Sequence, residues 1–405
     1  MWGRPRTSRN LMMYFVAFLM GDGASQVQMV AVSWTVYGIH HRAFDLGLVG
    51  LVMFVPSLLL VFVAGHAVDR YNRKTIVIAA AVVEAITSLV LAGLALAHVR
   101  DLAIMLAVIF VLGVGRAFGS PAESTILVNM VDTADYMRVQ ARYSSIREIV
   151  VIAGPAAGGA LVAISDVTAF AVAGAMTIVS VAAFALIHVR ATERGTGEEL
   201  DAGSALDGLR FIASRPIVLG AISLDLFAVL FGGANALLPI YADQILHVGA
   251  LGFGFLRSAS GLGASVMAIV LSQRTPNRNV GRTLLLTVAA FGVAMVVFAL
   301  SRNLWLSIAA LAAAGAFDMV SVVIRTGLVQ LNTPDAMRGR INSIEGVFIG
   351  GSNQIGAFES GTVAQLLGPV ASVALGGIAT LVVVVTWALA FPALRRSNEL
   401  RGEAR

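Results

Sequence analysis

Polar and charged residues interrupt this chain at intervals that leave twelve long apolar stretches. They lie near residues 10 to 37, 46 to 67, 75 to 97, 102 to 123, 144 to 165 and 167 to 189, then near 216 to 242, 249 to 272, 283 to 301, 304 to 326, 341 to 365 and 369 to 391. A helix of roughly 20 apolar residues crosses a hydrocarbon layer of about 30 Å, so each stretch predicts one membrane-spanning helix. Between the sixth and seventh, residues 190 to 215 carry Arg190, Glu193, Arg194, Glu198, Glu199, Asp201, Asp207, Arg210 and Arg215 among Gly-Thr-Gly and Gly-Ser pieces. That polar break predicts a flexible linker between two halves. The expected fold is an all-α membrane protein of twelve transmembrane helices in two pseudo-symmetric six-helix bundles, residues 1 to 189 and 216 to 405, the second ending in a basic tail.

Composition narrows the class further. The chain has 405 residues, 58% hydrophobic and 13% charged, where a soluble domain carries about 25% charged residues. Arg4, Arg6 and Arg9 precede the first apolar run in the manner of a signal peptide, but a run from Leu11 to Tyr37 exceeds the 7 to 15 residues of such a segment and is read as the first span. The chain has no cysteine, which excludes disulfides, thiolate metal sites and cysteine nucleophiles. No phosphate-binding loop, H-E-x-x-H pair or G-x-S-x-G elbow occurs, so neither an enzyme nor a nucleotide-driven pump is expected, and no cofactor or metal.

The net charge of +5 invites a nucleic-acid reading, which its distribution removes. With both termini on the cytoplasmic side, 21 of the 28 Lys and Arg fall in the termini, linker and loops of that side, four within spans, and only Arg42, Arg100 and Arg302 on the other. Short loops rich in Lys and Arg stay in the cytoplasm. Trp34, Trp305 and Trp387 fall near span ends, where aromatic belts sit. The expected location is the plasma (inner) membrane, multi-pass, with both termini cytoplasmic.

The run Gly65-His66-Ala67-Val68-Asp69-Arg70-Tyr71-Asn72-Arg73-Lys74 stands between the second and third spans. G-x-x-x-D-R-x-x-R-K at that place resembles the signature loop of the major facilitator superfamily, with Asn72 where a second Gly is usual; Asn also tolerates the left-handed backbone of a tight turn. The two halves echo each other as well. Val131-Asp132-Thr133-Ala134-Asp135-Tyr136-Met137-Arg138 aligns 200 residues later with Leu331-Asn332-Thr333-Pro334-Asp335-Ala336-Met337-Arg338, and Arg274, Arg278 and Arg282 form a degenerate counterpart of the opening loop. Paired six-helix repeats are how that superfamily is built, with substrate near the midplane.

Ionisable groups inside spans are costly, about 2.5 to 3.5 kcal/mol for Asp or Arg at a helix centre on insertion scales, so they should face partners or a wet cavity. Asp22 lies roughly 18 Å into the first span, between two glycines, and Glu84 and Asp225 roughly 13 Å into theirs. Arg116, in Gly115-Arg116-Ala117-Phe118-Gly119, resembles the superfamily's fourth-span Arg-x-x-x-Gly signature with Gly one residue early. Asp318 stands at the related place of the second half. With Asn353 and Gln354 of the polar eleventh span, these residues are the expected proton and substrate cavity; the bland alternative for any one of them is a satisfied structural pair.

By the same resemblance, Gly65, Asp69, Arg70, Arg73 and Lys74 belong to a conformational latch with Glu123, Arg147 and Glu148. Arg325 and Glu345 are its second-half counterpart, and Arg338 and Arg340 are included with them. Gly154-Pro155-Ala156-Ala157-Gly158-Gly159 resembles the GPxxGG signature of superfamily antiporters: Pro removes a backbone hydrogen bond and Gly permits close helix contact. Together with Met337 to Ile341 and Ile324 to Gln330, these features are similar to the enterobactin-exporter-like, transmembrane secretion effector branch. The resemblance implies a monomeric secondary transporter working by alternating access, driven by a proton gradient and exporting amphipathic organic compounds such as siderophores or drugs. An importer or lysophospholipid flippase of the same fold is the near alternative, a membrane receptor or enzyme the distant one.

Overall fold

The computed structural model describes residues 5–131, 133–188, 202–274 and 278–399. Asp132, most of the linker before Ala202, and the last six residues of the tail lie outside the described residues. All regular structure among the described residues is helical. The helices are α1 (Pro5–His40), α2 (Ala43–Leu59), α3 (Val61–Arg70), α4 (Arg73–Leu96), α5 (Leu102–Met130), α6 (Thr133–Ile164), α7 (Asp166–Leu186), α8 (Ala202–Ser214) and α9 (Pro216–Phe231). A 3-10 turn (Ala234–Leu237), the short α10 (Leu238–Ile240) and a π segment (Tyr241–Ile245) extend α9. Then come α11 (Gly249–Gln273), α12 (Val280–Leu300), α13 (Leu304–Leu331), α14 (Asp335–Leu367), α15 (Pro369–Ala390) and the terminal α16 (Pro392–Arg396).

Ten of these segments are long and apolar enough to cross a membrane. The broken pair α2–α3 and the polar α14 complete a twelve-helix membrane fold. α2 is interrupted at Leu60, four residues after Pro56, whose missing N–H leaves the Val52 carbonyl within α2 without its ladder partner. α14 spans 33 residues and carries Glu345, Asn353, Gln354 and Glu359, which makes it more polar than those ten.

Helix ends follow local chemistry. Asp101, Ser165 and Asn303 cap α5, α7 and α13 by accepting backbone N–H bonds from the first turn, and Pro occupies the opening turn of α9 and α15, where its lost donor has no partner anyway. Asn72 does the same for α4, accepting from the Lys74 N–H with φ −66°. It serves as a cap and not in the left-handed conformation the sequence suggested. Left-handed backbone is found instead at Asn279 before α12, with φ 55°, and at His41, His98 and His247, each within a few residues after a helical segment, with φ 53°.

Two compact units emerge. The first comprises Met1–His41, Val52–Glu199 and Gly249–Ser258; the second Arg42–Leu51, Leu200–Val248 and Ala259–Arg405. These units exchange a short piece relative to a simple division at the linker.

In the first, α1 packs on α6 and α7, and α4 on α5 and α7, around Leu11, Tyr14, Val77, Ile126 and Phe184. In the second, α12 packs on α13 and α15 around Leu224, Leu284, Ile324 and Val384. Ala202–Ser214, expected as part of a flexible linker, is the helix α8. Its Ile212 and Phe211 pack with Val218, Ile341 and Ile344, and burial of that apolar stripe explains why it folds.

Lys74 ties the start of α4 to the end of α7, its ammonium donating to the carbonyls of Ala185 at 2.8 Å and Ile187 at 2.7 Å. Lys74→Met is expected to lower stability by about 1 to 2 kcal/mol, the scale of a charge-assisted hydrogen bond at a half-exposed site, read as a lower melting temperature in detergent. An unchanged melting temperature would show that the tether contributes nothing.

Candidate functional site

Each unit holds a guanidinium–carboxylate centre within its helices. In the first, Arg116 of α5 pairs with Glu84 of α4 at 3.0 Å. The same guanidinium donates to Ser25 Oγ and, at 3.4 Å, to Gln28 Oε1 of α1, and lies 3.6 Å from Met53 Sδ of α2. Gln28 in turn donates to Ser88 Oγ at 2.8 Å, one helical turn after Glu84. Arg116 is thereby fixed from three helices, which lowers the cost of holding a charge away from water.

Asp22 lies nearby without a bonded partner among the described residues. The charges that act on it are Arg147 first, then Glu84 and Arg116. Its flanking glycines permit close approach of α7: a side chain at Gly21 would meet Ser180, and one at Gly23 would meet Met176. Glu123 belongs to this centre as well, acting electrostatically on Tyr14 and Tyr143 and feeling Asp22 and Glu84. Phe18 and Tyr143 pack as a tilted pair beside it with centroids 4.5 Å apart.

In the second unit Arg325 of α13 is the hub. Its guanidinium contacts Glu345 of α14 at 2.6 Å and Asp225 of α9 at 3.4 Å, with the three residues 4 to 7% exposed. Asp318, half-buried two turns earlier on α13, faces a cavity of about 10 Å³ shared with Asp225, Ser321, Phe291 and Phe317, near the lower limit for one water molecule. No hydrogen bond or ion pair joins Asp318 to any described residue.

Several residues assigned to a latch stand elsewhere. Glu123 and Arg147 are within electrostatic reach of Asp22, which associates them with the first centre. Arg325 and Glu345 are not separate from the cavity acids, since Arg325 pairs with Asp225 as well as with Glu345. Of the loop itself, the side chain of Asp69 lies outside the described residues, Arg70 is exposed, Gly65 has open space beside it, and Arg73 is half-buried. Glu148 is half-buried. Arg338 donates to the Gln330 carbonyl at 3.2 Å, whereas its repeat Arg138 pairs with Asp135 at 3.0 Å on the surface; Arg340 is half-buried on α14.

Asn353 is exposed and donates to the carbonyl of Ile349 in its own helix. Gln354 lies against Gly50 of α2, where an added side chain would collide with its Oε1. The run from Gly154 to Gly159 forms a close-packed ridge inside an unbroken α6. Gly154 abuts Gln26, Gly158 abuts Val27 and Val30, and Gly159 abuts Ala250 and Gly254.

The network of Ser25, Gln28 and Ser88 was not singled out from sequence, because single small polar residues are common on helices. Arg257 of α11, a lone cation in a Gly- and Ser-rich stretch, was passed over too; its in-span position was the available signal.

Comparison with known proteins places this geometry. Residues 5–404 match the family model described as transmembrane secretion effector. The chain is 26% identical over 375 residues to the multidrug efflux pump Tap of Mycolicibacterium fortuitum, covering 88% of this chain and 90% of that protein. It is 27% identical over 380 residues to the enterobactin exporter EntS of Escherichia coli strain SE11, covering 91% and 89%. Among solved structures, the nucleoside transporter NupG superposes with TM-score 0.68 at 14% identity, over 97% of this chain and 100% of that one. A bacterial homolog of the human lysosomal transporter Spinster, inward-facing and occupied, gives 0.73 at 14%, over 97% of each. At that identity the structures share the fold.

Proposed function

The chain belongs to the transmembrane secretion effector family of the major facilitator superfamily, and we propose that it is a proton-driven exporter of amphipathic organic compounds. As a family member it is a multi-pass membrane transporter of small molecules and not an enzyme. The observation that carries the finer reading is the pairing pattern of the acids: each unit holds an acid bonded to a guanidinium and another without a bonded partner among the described residues. These spare acids are Asp22, with Glu123 beside it, in the first unit, and Asp318 in the second. An acid that no cation holds permanently can take up and release a proton as its surroundings change. Asp22 and Asp318 are the proposed proton carriers; Arg116, Asn353 and Gln354 are the proposed polar contacts for substrate on otherwise apolar walls.

Outward direction rests on the exporter names of the two relatives and on the antiporter-like run from Gly154 to Gly159. The positive-inside count puts both termini in the cytoplasm, and the protein is taken to act as a monomer. The test compares culture supernatant and cell extract from deletion and overexpressing strains by mass spectrometry. Accumulation of a compound inside the deletion strain and outside the overexpressor supports export; depletion of it from the medium by the overexpressor makes the protein an importer.

The loop of Asp69, Arg70 and Arg73 is the proposed latch at the cytoplasmic face. A charge that favours one conformation shifts the population when it is removed. Asp69→Asn is therefore expected to raise the labelling rate of a single cysteine introduced on the cytoplasmic side of the path, an assay that a chain without native cysteine makes clean. An unaltered rate would remove Asp69 from the latch.

A further inference from the structure

The first unit contains a further in-span guanidinium, besides Arg116 and Arg147, that the centre at Arg116 does not use. Arg257 sits on α11 within Gly249–Ser258, the piece of that helix belonging to the first unit. It is half-buried and makes no hydrogen bond or ion pair with any described residue. The formal charge acting on it is the like charge of Arg116.

Its position follows from the packing around it. Gly159 abuts Ala250 while the Pro155 carbonyl abuts Gly254, so α11 runs antiparallel to α6. Gly154 abuts Gln26 and Gly158 abuts Val30, so α1 runs parallel to α6. Phe253, stacked on Trp34 of α1 at 6.0 Å, and Gly254 mark the face of α11 turned toward α1 and α6. Residues three and four apart share a helix face, which puts Arg257 on that face one turn deeper. That level corresponds to residues 24 to 30 of α1, where Ser25 and Gln28 hold the Arg116 guanidinium.

Of the two guanidinium groups at this level, Arg116 is paired with Glu84, whereas Arg257 is a cation at membrane depth with no bonded partner among the described residues. Such a charge is expensive alone and matches a carboxylate in geometry, since the guanidinium fork offers two parallel N–H donors. One turn away, half-buried Trp34, backed on one face by the fully buried ring of Phe253, offers a flat apolar surface. We propose that Arg257 is a specificity-determining residue that binds the carboxylate of an organic anion whose apolar body lies along Trp34. The cargo is thus an amphipathic acid. Its status as cargo rests on the export reading; its binding does not.

The test uses the full chain in lipid nanodiscs with 1-pyrenebutyrate and its methyl ester as probes, read by saturable quenching of tryptophan emission. Wild type is expected to bind the acid roughly tenfold more tightly than the ester, the scale of one charged hydrogen bond. Arg257→Gln should erase that preference without weakening the ester, and Arg257→Lys should keep part of it. Because the charge has no bonded partner among the described residues, Arg257→Gln should also melt no lower than wild type in the absence of probe.

Equal weakening of acid and ester, a preference that survives Arg257→Gln, no preference in wild type, or a lowered melting temperature would each overturn the proposal. Gradient-driven movement of the two probes in proteoliposomes is measured in parallel. Preferential binding of the acid with movement of neither probe would sink the export reading and leave the site standing. Movement of the ester with no preference for the acid would do the reverse.

Discussion

Arg325→Leu is expected to cost about 3 to 5 kcal/mol of stability, the penalty for removing one partner of a buried ion pair and stranding the others. Asp225 and Glu345 are 6% and 7% exposed, and both face Arg325. Without it two carboxylates share a space with no cation and little water. The expected result is a sharp loss of folded, monodisperse protein after detergent extraction. The triple change Arg325→Leu, Asp225→Asn, Glu345→Gln should recover most of that loss, because no uncompensated charge remains. A single variant as stable as wild type would show that the triad is solvated more fully than its burial implies. The same contacts explain why Asp225 is not the acid assigned to the proton: its charge is committed to Arg325, whereas Asp318 across the cavity has no bonded partner among the described residues.

Asp22→Asn is expected to abolish gradient-driven export while leaving the fold intact. The two halves of that expectation have one cause. Asp22 carries no bonded partner among the described residues, so neutralising it breaks no ion pair, yet it sits within electrostatic reach of Arg147, Glu84 and Arg116, where a change of its charge alters the whole centre. Transport of an identified compound into inverted vesicles under an imposed pH gradient, beside melting of the purified variant, separates the halves. Full transport in the variant would take Asp22 off the coupling path. Glu84→Gln provides the contrast: it strands Arg116 and should impair folding as well as transport.

The twelve-helix fold was legible because lipid leaves backbone groups no solvent to bond, so each crossing must be a continuous, mostly apolar helix that hydropathy detects. What stayed hidden depended on which side chains meet across helices. Asp225 and Arg325 are 100 residues apart in sequence, and depth counting assigned one to the cavity and the other to a latch; only the packing of α9, α13 and α14 joins them. Glu123 was drawn toward the loop by its place late in the fourth span, but the helix turns it toward Asp22. The glycines of α8 suggested a flexible tether, while the burial of Phe211 and Ile212 on Ile341 and Ile344 overrides them. Arg257 was one of several in-span cations to the eye. Its isolation appears only when its neighbours are known.

The left-handed histidines carry a practical consequence for handling the protein outside a membrane. A residue with a Cβ in that conformation bears about 1 to 2 kcal/mol of local strain, which glycine removes while giving back about 0.5 to 1 kcal/mol through a more flexible unfolded chain. His41 packs edge-on against Tyr37, and the ring of His247 contacts the Asp243 carbonyl, so replacing either loses a contact. His98 is exposed on the short connection between α4 and α5. His98→Gly should therefore lengthen the lifetime of the purified protein in detergent by a modest factor, and it lies at a helix end remote in sequence from Arg116, Asp22 and Arg257, where a gain in shelf life need not trade against transport.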